Sequence, residues 1–236
     1  MTNWSSVEAD WVKIGSGLFR RAMASLSDGE LKNPSLLDGW SRSHVVSHVS
    51  ANAQAIGRLL HWAETGEVTH MYPSVEERDE EISRGAQLAG DDLRAWWTRA
   101  DDHLLEEFAT LPAGAWKAQV LTAQGREVPA SETLWMRSRE ICIHAVDLAA
   151  VVDWEDLPES FLRRLINEAV SRHSSSGENP AVTIVLDDGE SLLLEGVGDP
   201  VETSGNLSEI AAWLTGRATE HVQGDSAPRP QLGKWL

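Results

Sequence analysis

The chain has 236 residues, of which 42% are hydrophobic and 24% are charged, as is usual for a soluble globular protein with a sizeable core. Its 37 acidic residues outnumber 20 basic ones, so the formal net charge is -17. Because this charge repels phosphate backbones and anionic lipid, we expect binding neither to nucleic acid nor to a membrane surface. An anionic substrate would need a local cationic group to overcome this background field.

Targeting signals and cysteine chemistry are both sparse. No apolar run approaches the roughly 20 residues that a membrane helix needs, and the N-terminus resembles no signal peptide. A cytoplasmic location is therefore expected. The single cysteine, Cys142, excludes an intramolecular disulfide and a cysteine-rich zinc site. It points to the opposite side of its helix from His144, which favours a core position over a role as ligand or nucleophile.

Apolar periodicity predicts four long amphipathic helices in the first two-thirds of the chain, a pattern typical of a four-helix bundle. A short hairpin or ordered loop is expected between them, at 116–129. The predicted helices, in chain order, are 4–26, 41–65 with Ser41 as N-cap, a short helix after the capping box that starts at Ser74, 91–110, and 132–152 with Ser131 as N-cap.

The pattern after Trp154 predicts a second domain, so we divide the chain into a helical domain, 1–154, and a small α+β domain, 155–236. The second domain is expected to contain a helix from Pro158, two strands joined by a turn at 187–189, and a last helix capped by Asn206. Two prolines favour extended chain in the tail 226–230. The predicted fold class is α+β.

Glu140 and His144 are potential metal ligands within one helix. They are four residues apart, so their side chains leave the same face one turn apart. An isolated pair of this kind is more often an ordinary polar pair of a helix surface. Asp147 lies on the same side, where it can orient a ligand histidine.

The helix 41–65 offers a third ligand, because His48 and Asn52 share a stripe with apolar residues and a polar group turned towards a core needs a partner. Two histidines and one carboxylate leave a coordination position open, as a catalytic zinc requires. The spacing alone does not choose His48 over its neighbour His44. Further histidines of the same domain are His61, His70 and His103.

Three arginines are candidates for binding a substrate anion. Arg137 is seven residues before His144 and can face the same site, and Arg126 lies in the predicted hairpin. Arg217 follows the last predicted helix, where it can present a guanidinium to a carboxylate. From placement alone, Arg217 is more simply a surface arginine near a helix C-terminus.

Several segments resemble the mycothiol-dependent maleylpyruvate isomerases. One is SLLDGWSRSHVVSHV at 35–49, and the others are LTAQGR at 121–126, PASETLWMRSRE at 129–140 and IHAVDL at 143–148. The likeness covers nearly the whole chain and is loosest between about 174 and 204. The block WMRSRE is specific, whereas a short metal motif alone would not be.

The resemblance implies a DinB-like four-helix bundle followed by a small sterol-carrier-like α+β domain. It implies zinc held by His48, Glu140 and His144, and thereby selects His48 among the histidines of its helix. It also implies a functionally important arginine, Arg217, in the second domain. The active site is then expected between the two domains.

The activity that the resemblance implies is cis-trans isomerisation of maleylpyruvate to fumarylpyruvate in gentisate-type aromatic degradation. A thiolate that adds to the conjugated double bond leaves a single bond that rotates, and its elimination gives the trans isomer. Since the chain has no suitably placed cysteine, the thiol is expected to be mycothiol, held deprotonated by zinc. The expected partners are mycothiol and a small diacid, with no obligate protein partner.

Other functions fit the same residues. In a mycothiol S-transferase the sulfur would stay on the product, and in a zinc hydrolase the open position would activate water without any thiol. A metal-stabilised binding module without catalysis would melt when zinc is removed, and it would not depend on Arg217.

Overall fold

The computed structural model describes residues 3–217 and 229–235 and shows an α+β protein, as predicted. The chain divides into two compact units, Met1–Asp153 and Trp154–Leu236. Of the tail predicted to be extended, 226–228 lie outside the described residues, and 229–230 have no regular secondary structure. None of the helices in the described part of the chain is long and apolar enough to cross a membrane.

The first unit is a helical bundle with a small hairpin. Its long helices α1, α3, α5 and α6 form the predicted four-helix bundle, in which α1 packs on α6, and α3 packs on both α5 and α6. The elements are α1 (Val7–Ala24), α2 (Asp28–Leu31), α3 (Arg42–Thr65), α4 (Val75–Gly85), α5 (Gly90–Thr110), β1 (Gln119–Leu121), β2 (Glu127–Pro129) and α6 (Glu132–Asp147).

Local signals set the ends of α3, which carries one predicted ligand. Ser41 occupies the N-cap position, where its hydroxyl lies 2.7 Å from Nδ1 of His44, three residues further on. Gly66 ends the helix in the left-handed conformation, with φ of 78°, which glycine adopts without steric strain. Both ends agree with the prediction.

The helix α6 ends earlier than predicted. Periodicity extended it to 152, but it stops at Asp147, and Ala149 has a positive φ of 47°. The carbonyl of Asp147 accepts a hydrogen bond from the backbone N–H of Leu36, and the carbonyl of Ala149 accepts one from Arg42 Nη2. These contacts with the chain before α3 take up carbonyls that would otherwise lie at a helix end, and they fix where α6 stops.

Over the residues that the structure describes, the second unit contains two α-helices and a three-stranded sheet, in the order α7 (Glu159–Ser176), β3 (Pro180–Leu186), β4 (Ser191–Leu194), β5 (Val197–Gly205) and α8 (Leu207–Leu214). The strand order is β4-β3-β5, with β4 antiparallel and β5 parallel to β3. The strand β5 was not predicted. Gly198 and Pro200 near its start hide the strand pattern, and most of its residues are exposed.

Candidate metal centre

The packing of α3 on α6 brings the three predicted ligands together. Nε2 of His48 lies 2.8 Å from Oε2 of Glu140, and Nε2 of His144 lies 3.3 Å from the same oxygen. Each residue offers one donor atom, and the three donor atoms all lie within 4.8 Å of one another. Among the residues that the structure describes, this is the one group of three or more such donors.

The two imidazoles sit in different electrostatic surroundings. Burial lowers the pKa of His48, although Glu140 acts in the opposite direction. Burial acts in the same way on His144, but its hydrogen bonds to Asp147 and Glu140 prevail and raise its pKa to about 9. For Glu140, burial would raise the pKa, and the hydrogen bonds with His144 and His48 instead hold it well below its usual range. The glutamate is therefore an anion between two histidines.

Asp147 fixes the orientation of His144. Its Oδ2 lies 2.7 Å from Nδ1 of the imidazole, and its side chain is fully buried. A carboxylate in this place accepts a hydrogen bond from the Nδ1–H group and thereby directs Nε2 towards Glu140. The structure thus places Asp147 where its spacing from Glu140 suggested.

The residues present fit a zinc ion. Two imidazole nitrogens and one carboxylate oxygen are donors that zinc accepts, and three protein donors leave a coordination position open. The buried aspartate behind His144 is the kind of partner that metal-binding histidines use.

The other histidines of the first unit have different surroundings. His44 contacts Ser41 at the start of α3 and is not part of the metal centre. The structure therefore distinguishes His44 from His48, which the spacing along the helix could not do. Nε2 of His61 lies 3.7 Å from a carboxylate oxygen of the exposed Glu67, and Nε2 of His103 lies 3.6 Å from one of the partly buried Glu107. Cys142 is fully buried, and burial raises the pKa of its thiol. It lies in the core, as its helical phase predicted.

Three neighbours of the centre were missed by the sequence analysis. The ring of Trp40 lies 5.5 Å from that of His48, at an angle of 67°. Nη2 of Arg78, on α4, lies 3.5 Å from Nδ1 of the same histidine. Tyr72 is next to Arg78, and burial, with the nearby charge of Glu140, raises its pKa to about 12. No periodicity marks Tyr72 or Arg78, since one lies in a loop and the other in a short, highly charged helix.

Of the candidate arginines for substrate binding, the structure places Arg137 in the core of the bundle. Its side chain is fully buried and forms an ion pair with Asp101 at 2.9 Å. It also donates to the backbone carbonyl of Val49 and to the side chain of Asn52. Arg126 is 59% exposed and has a carboxylate oxygen of Glu132 at 3.8 Å.

Arg217 belongs to the second unit, where a helix-ending motif fixes its backbone. Its N–H donates to the carbonyl of Ala212, and Gly216 has φ of 75° and donates to Trp213, the pattern of a Schellman motif. Its guanidinium donates to the carbonyl of Thr215 at 2.7 Å.

Fold and site together define a four-helix protein with a candidate metal centre of two histidines and one glutamate, joined to a small α+β unit. The family model for the mycothiol maleylpyruvate isomerase N-terminal domain matches residues 15–149. A crystal structure of the mycothiol-dependent maleylpyruvate isomerase is 38% identical, with a TM-score of 0.88 over 98% of both chains. A variant of that enzyme with a histidine replaced by alanine gives the same TM-score and coverage at 37% identity.

The chain therefore belongs to the mycothiol maleylpyruvate isomerase family. This membership confirms the resemblance stated from the sequence and the isomerase class that it implied. It also agrees with the expected cofactors, because the family is mycothiol-dependent and the His48, Glu140 and His144 group is consistent with zinc. A comparison with curated proteins found no match.

A more distant structure shares only the fold. YfiT from Bacillus subtilis, described as a probable metal-dependent hydrolase with an unusual four-helix bundle topology, is 16% identical. Its TM-score is 0.50, over 61% of this chain and 87% of its own.

Proposed function

We propose that this protein catalyses the mycothiol-dependent cis-trans isomerisation of maleylpyruvate to fumarylpyruvate, a step of gentisate-type aromatic degradation. The convergence of His48, Glu140 and His144 carries the proposal, because it gives a chain of this family a candidate metal centre. The similar structures, 37% and 38% identical over 98% of the chain, are those of a mycothiol-dependent maleylpyruvate isomerase and its variant.

We assign metal binding to the first unit. Nε2 of His48, Oε2 of Glu140 and Nε2 of His144 would hold zinc, and Asp147 would keep the His144 ring in place. Zinc bound there supplies a positive charge that keeps a thiol deprotonated at neutral pH.

The thiol has to come from outside the chain, since the single cysteine is fully buried. In the proposed reaction, the thiolate of mycothiol adds to one carbon of the double bond, and the displaced electron pair moves to the conjugated carbonyl as an enolate. The carbon–carbon single bond then rotates. The enolate restores the double bond as the thiolate leaves, so mycothiol is regenerated and no atom is gained or lost.

The substrate's negative charges require cations in a chain with a net charge of -17. We assign one of these cations to Arg78, because its guanidinium lies beside His48 and its side chain is 30% exposed. We assign the other to Arg217, which matches the family's functional arginine. Guanidinium groups bind carboxylates in a fixed geometry and stabilise charge that develops on an enolate oxygen.

The decisive experiment follows maleylpyruvate by absorbance, with and without mycothiol, on zinc-loaded and chelated protein. We expect turnover only when both zinc and mycothiol are present, with the His48→Ala variant inactive and free of metal. Turnover without any thiol would contradict the proposal and indicate a hydrolase. A product that retains the sulfur would contradict it in favour of an S-transferase.

The role of Arg217 has its own test. Arg217→Ala is expected to keep the fold and the zinc content of the native protein but to lose isomerisation. A variant that isomerises at the native rate would refute this assignment. If removing zinc melted the bundle and Arg217→Ala changed nothing, the protein would instead be a metal-stabilised binding module.

A further inference from the structure

Arg137 is buried, precedes Glu140 on α6 by one helical turn, and contacts α3 within about one turn of His48. We propose that Arg137 is a positioning residue that sets how α3 lies on α6 and thereby the geometry of the metal centre. This inference rests on the metal centre of the proposed function, although it concerns residues that touch neither metal nor substrate.

Arg137 and its partner Asp101 together link the four helices of the bundle. From α6, its Nη1 donates to the carbonyl of Val49 and to Oδ1 of Asn52 on α3, both at 2.9 Å. Its Nη2 donates to Oδ1 of Asp101 on α5, also at 2.9 Å. The same carboxylate oxygen accepts from Ser16 Oγ of α1 at 3.1 Å. All these side chains are buried.

These contacts lie next to the ligands along each helix. On α6, Arg137 is three residues before Glu140, so the two occupy neighbouring turns of one face. On α3, Val49 follows His48 directly, and Asn52 lies one turn further. A shift of α3 along α6 would therefore break the contacts of Arg137 and move His48 away from Glu140 together.

Stability alone does not account for an arginine in this place. A buried ion pair often contributes no more to stability than apolar side chains of similar volume. A guanidinium differs from an apolar side chain because its planar fork fixes the directions of several hydrogen bonds at once. A metal centre needs that control, since its ligands have to be held to within about 0.5 Å of their productive positions.

Two variants test the inference through metal binding rather than activity. Arg137→Lys keeps a positive charge opposite Asp101 but lacks the fork, so it cannot reach the acceptors on α3 and α5 together. Asn52→Leu removes only the side-chain tie to α3 and keeps the branched shape and the number of side-chain heavy atoms, and it decides the question if the lysine variant does not fold. Zinc affinity is measured by competition with a chromophoric chelator, and ligand geometry by the visible spectrum of the cobalt-substituted protein.

We expect both variants to lose about 10-fold or more in zinc affinity, the size of effect seen when residues that orient ligands are changed, and to show an altered cobalt spectrum. The matched control is Leu104→Ala, which removes a buried side chain from the core on α5 outside this network. It is expected to lower the melting temperature but to leave zinc affinity and the cobalt spectrum unchanged.

Native affinity and an unchanged spectrum in Asn52→Leu and in folded Arg137→Lys would overturn the inference. An equal loss of affinity in Leu104→Ala would also overturn it, since general loosening of the bundle would then suffice. The proposed function fails separately, if zinc-loaded native protein shows no thiol-dependent isomerisation, and the affinity comparison still decides the role of Arg137. Native protein that binds no zinc would overturn both.

Discussion

Asp147 holds His144 through a 2.7 Å contact between its Oδ2 and Nδ1 of the imidazole, and its own carbonyl accepts a hydrogen bond from Leu36. One residue therefore ends the helix α6 and orients a candidate ligand on its last turn. The position of the His144 ring depends in this way on the loop that precedes α3 as well as on its own helix.

Changing Asp147→Asn is expected to weaken zinc binding by about 10- to 100-fold. The amide oxygen can still accept a hydrogen bond from Nδ1–H, but the amide has no negative charge and can instead turn its NH₂ group towards the ring. Chelator competition measures the effect. The control is Asp91→Asn, whose side chain is 99% exposed. Equal affinities for the two variants would show that Asp147 serves only to end the helix.

Changing Arg78→Gln is expected to raise KM for the diacid by about 10-fold or more, since charge-assisted hydrogen bonds contribute roughly 1.5–3 kcal/mol. Zinc content should stay at the native level. Steady-state kinetics and metal analysis on one preparation test both statements. Arg84→Gln is the control, because this arginine lies on the same helix with its side chain 72% exposed. A native KM in Arg78→Gln would remove Arg78 from the substrate site.

Cys142 is expected to be inert in the native protein, because its side chain is fully buried. A chromogenic thiol reagent should react with one thiol per chain after unfolding and only slowly before it. Cys142→Ser should keep the mycothiol-dependent rate, since serine retains a polar atom near the carbonyl of Trp11, which lies 3.8 Å from the sulfur. An inactive but folded serine variant would show that the protein's own thiol takes part.

Two glycines of α1 should respond in opposite ways to alanine. A Cβ at Gly15 would lie 2.5 Å from Ile141 and 2.8 Å from the sulfur of Cys142, whereas a Cβ at Gly17 would meet nothing within 4 Å. Overpacking costs about 1–3 kcal/mol, and alanine gains about 1 kcal/mol over glycine inside a helix. We therefore expect Gly17→Ala to raise the free energy of unfolding above the native value and Gly15→Ala to lower it. Denaturant titration checks this, and equal values would contradict the close packing of α1 on α6.

Local patterns predicted much of the architecture. Ser41 and Gly66 mark the ends of α3 because caps and left-handed glycines act within a few residues of the helix end. The end of α6 was predicted too late, since it depends on contacts with the distant residues Leu36 and Arg42. The strand β5 was missed for a similar reason, because its pairing with β3 overrides a sequence that contains Gly198 and Pro200.

By itself, the sequence determined the one-turn separation of Glu140 and His144, which helical periodicity fixes, and the likeness to a known family, which selected His48. Only the tertiary structure decided which polar groups meet across helices. It turned His44 to the cap of α3, buried Arg137 against Asp101, and placed Arg78 beside His48. The physical reason is that spacing along a chain fixes the direction of a side chain on its own helix, whereas its partner depends on how separate helices pack.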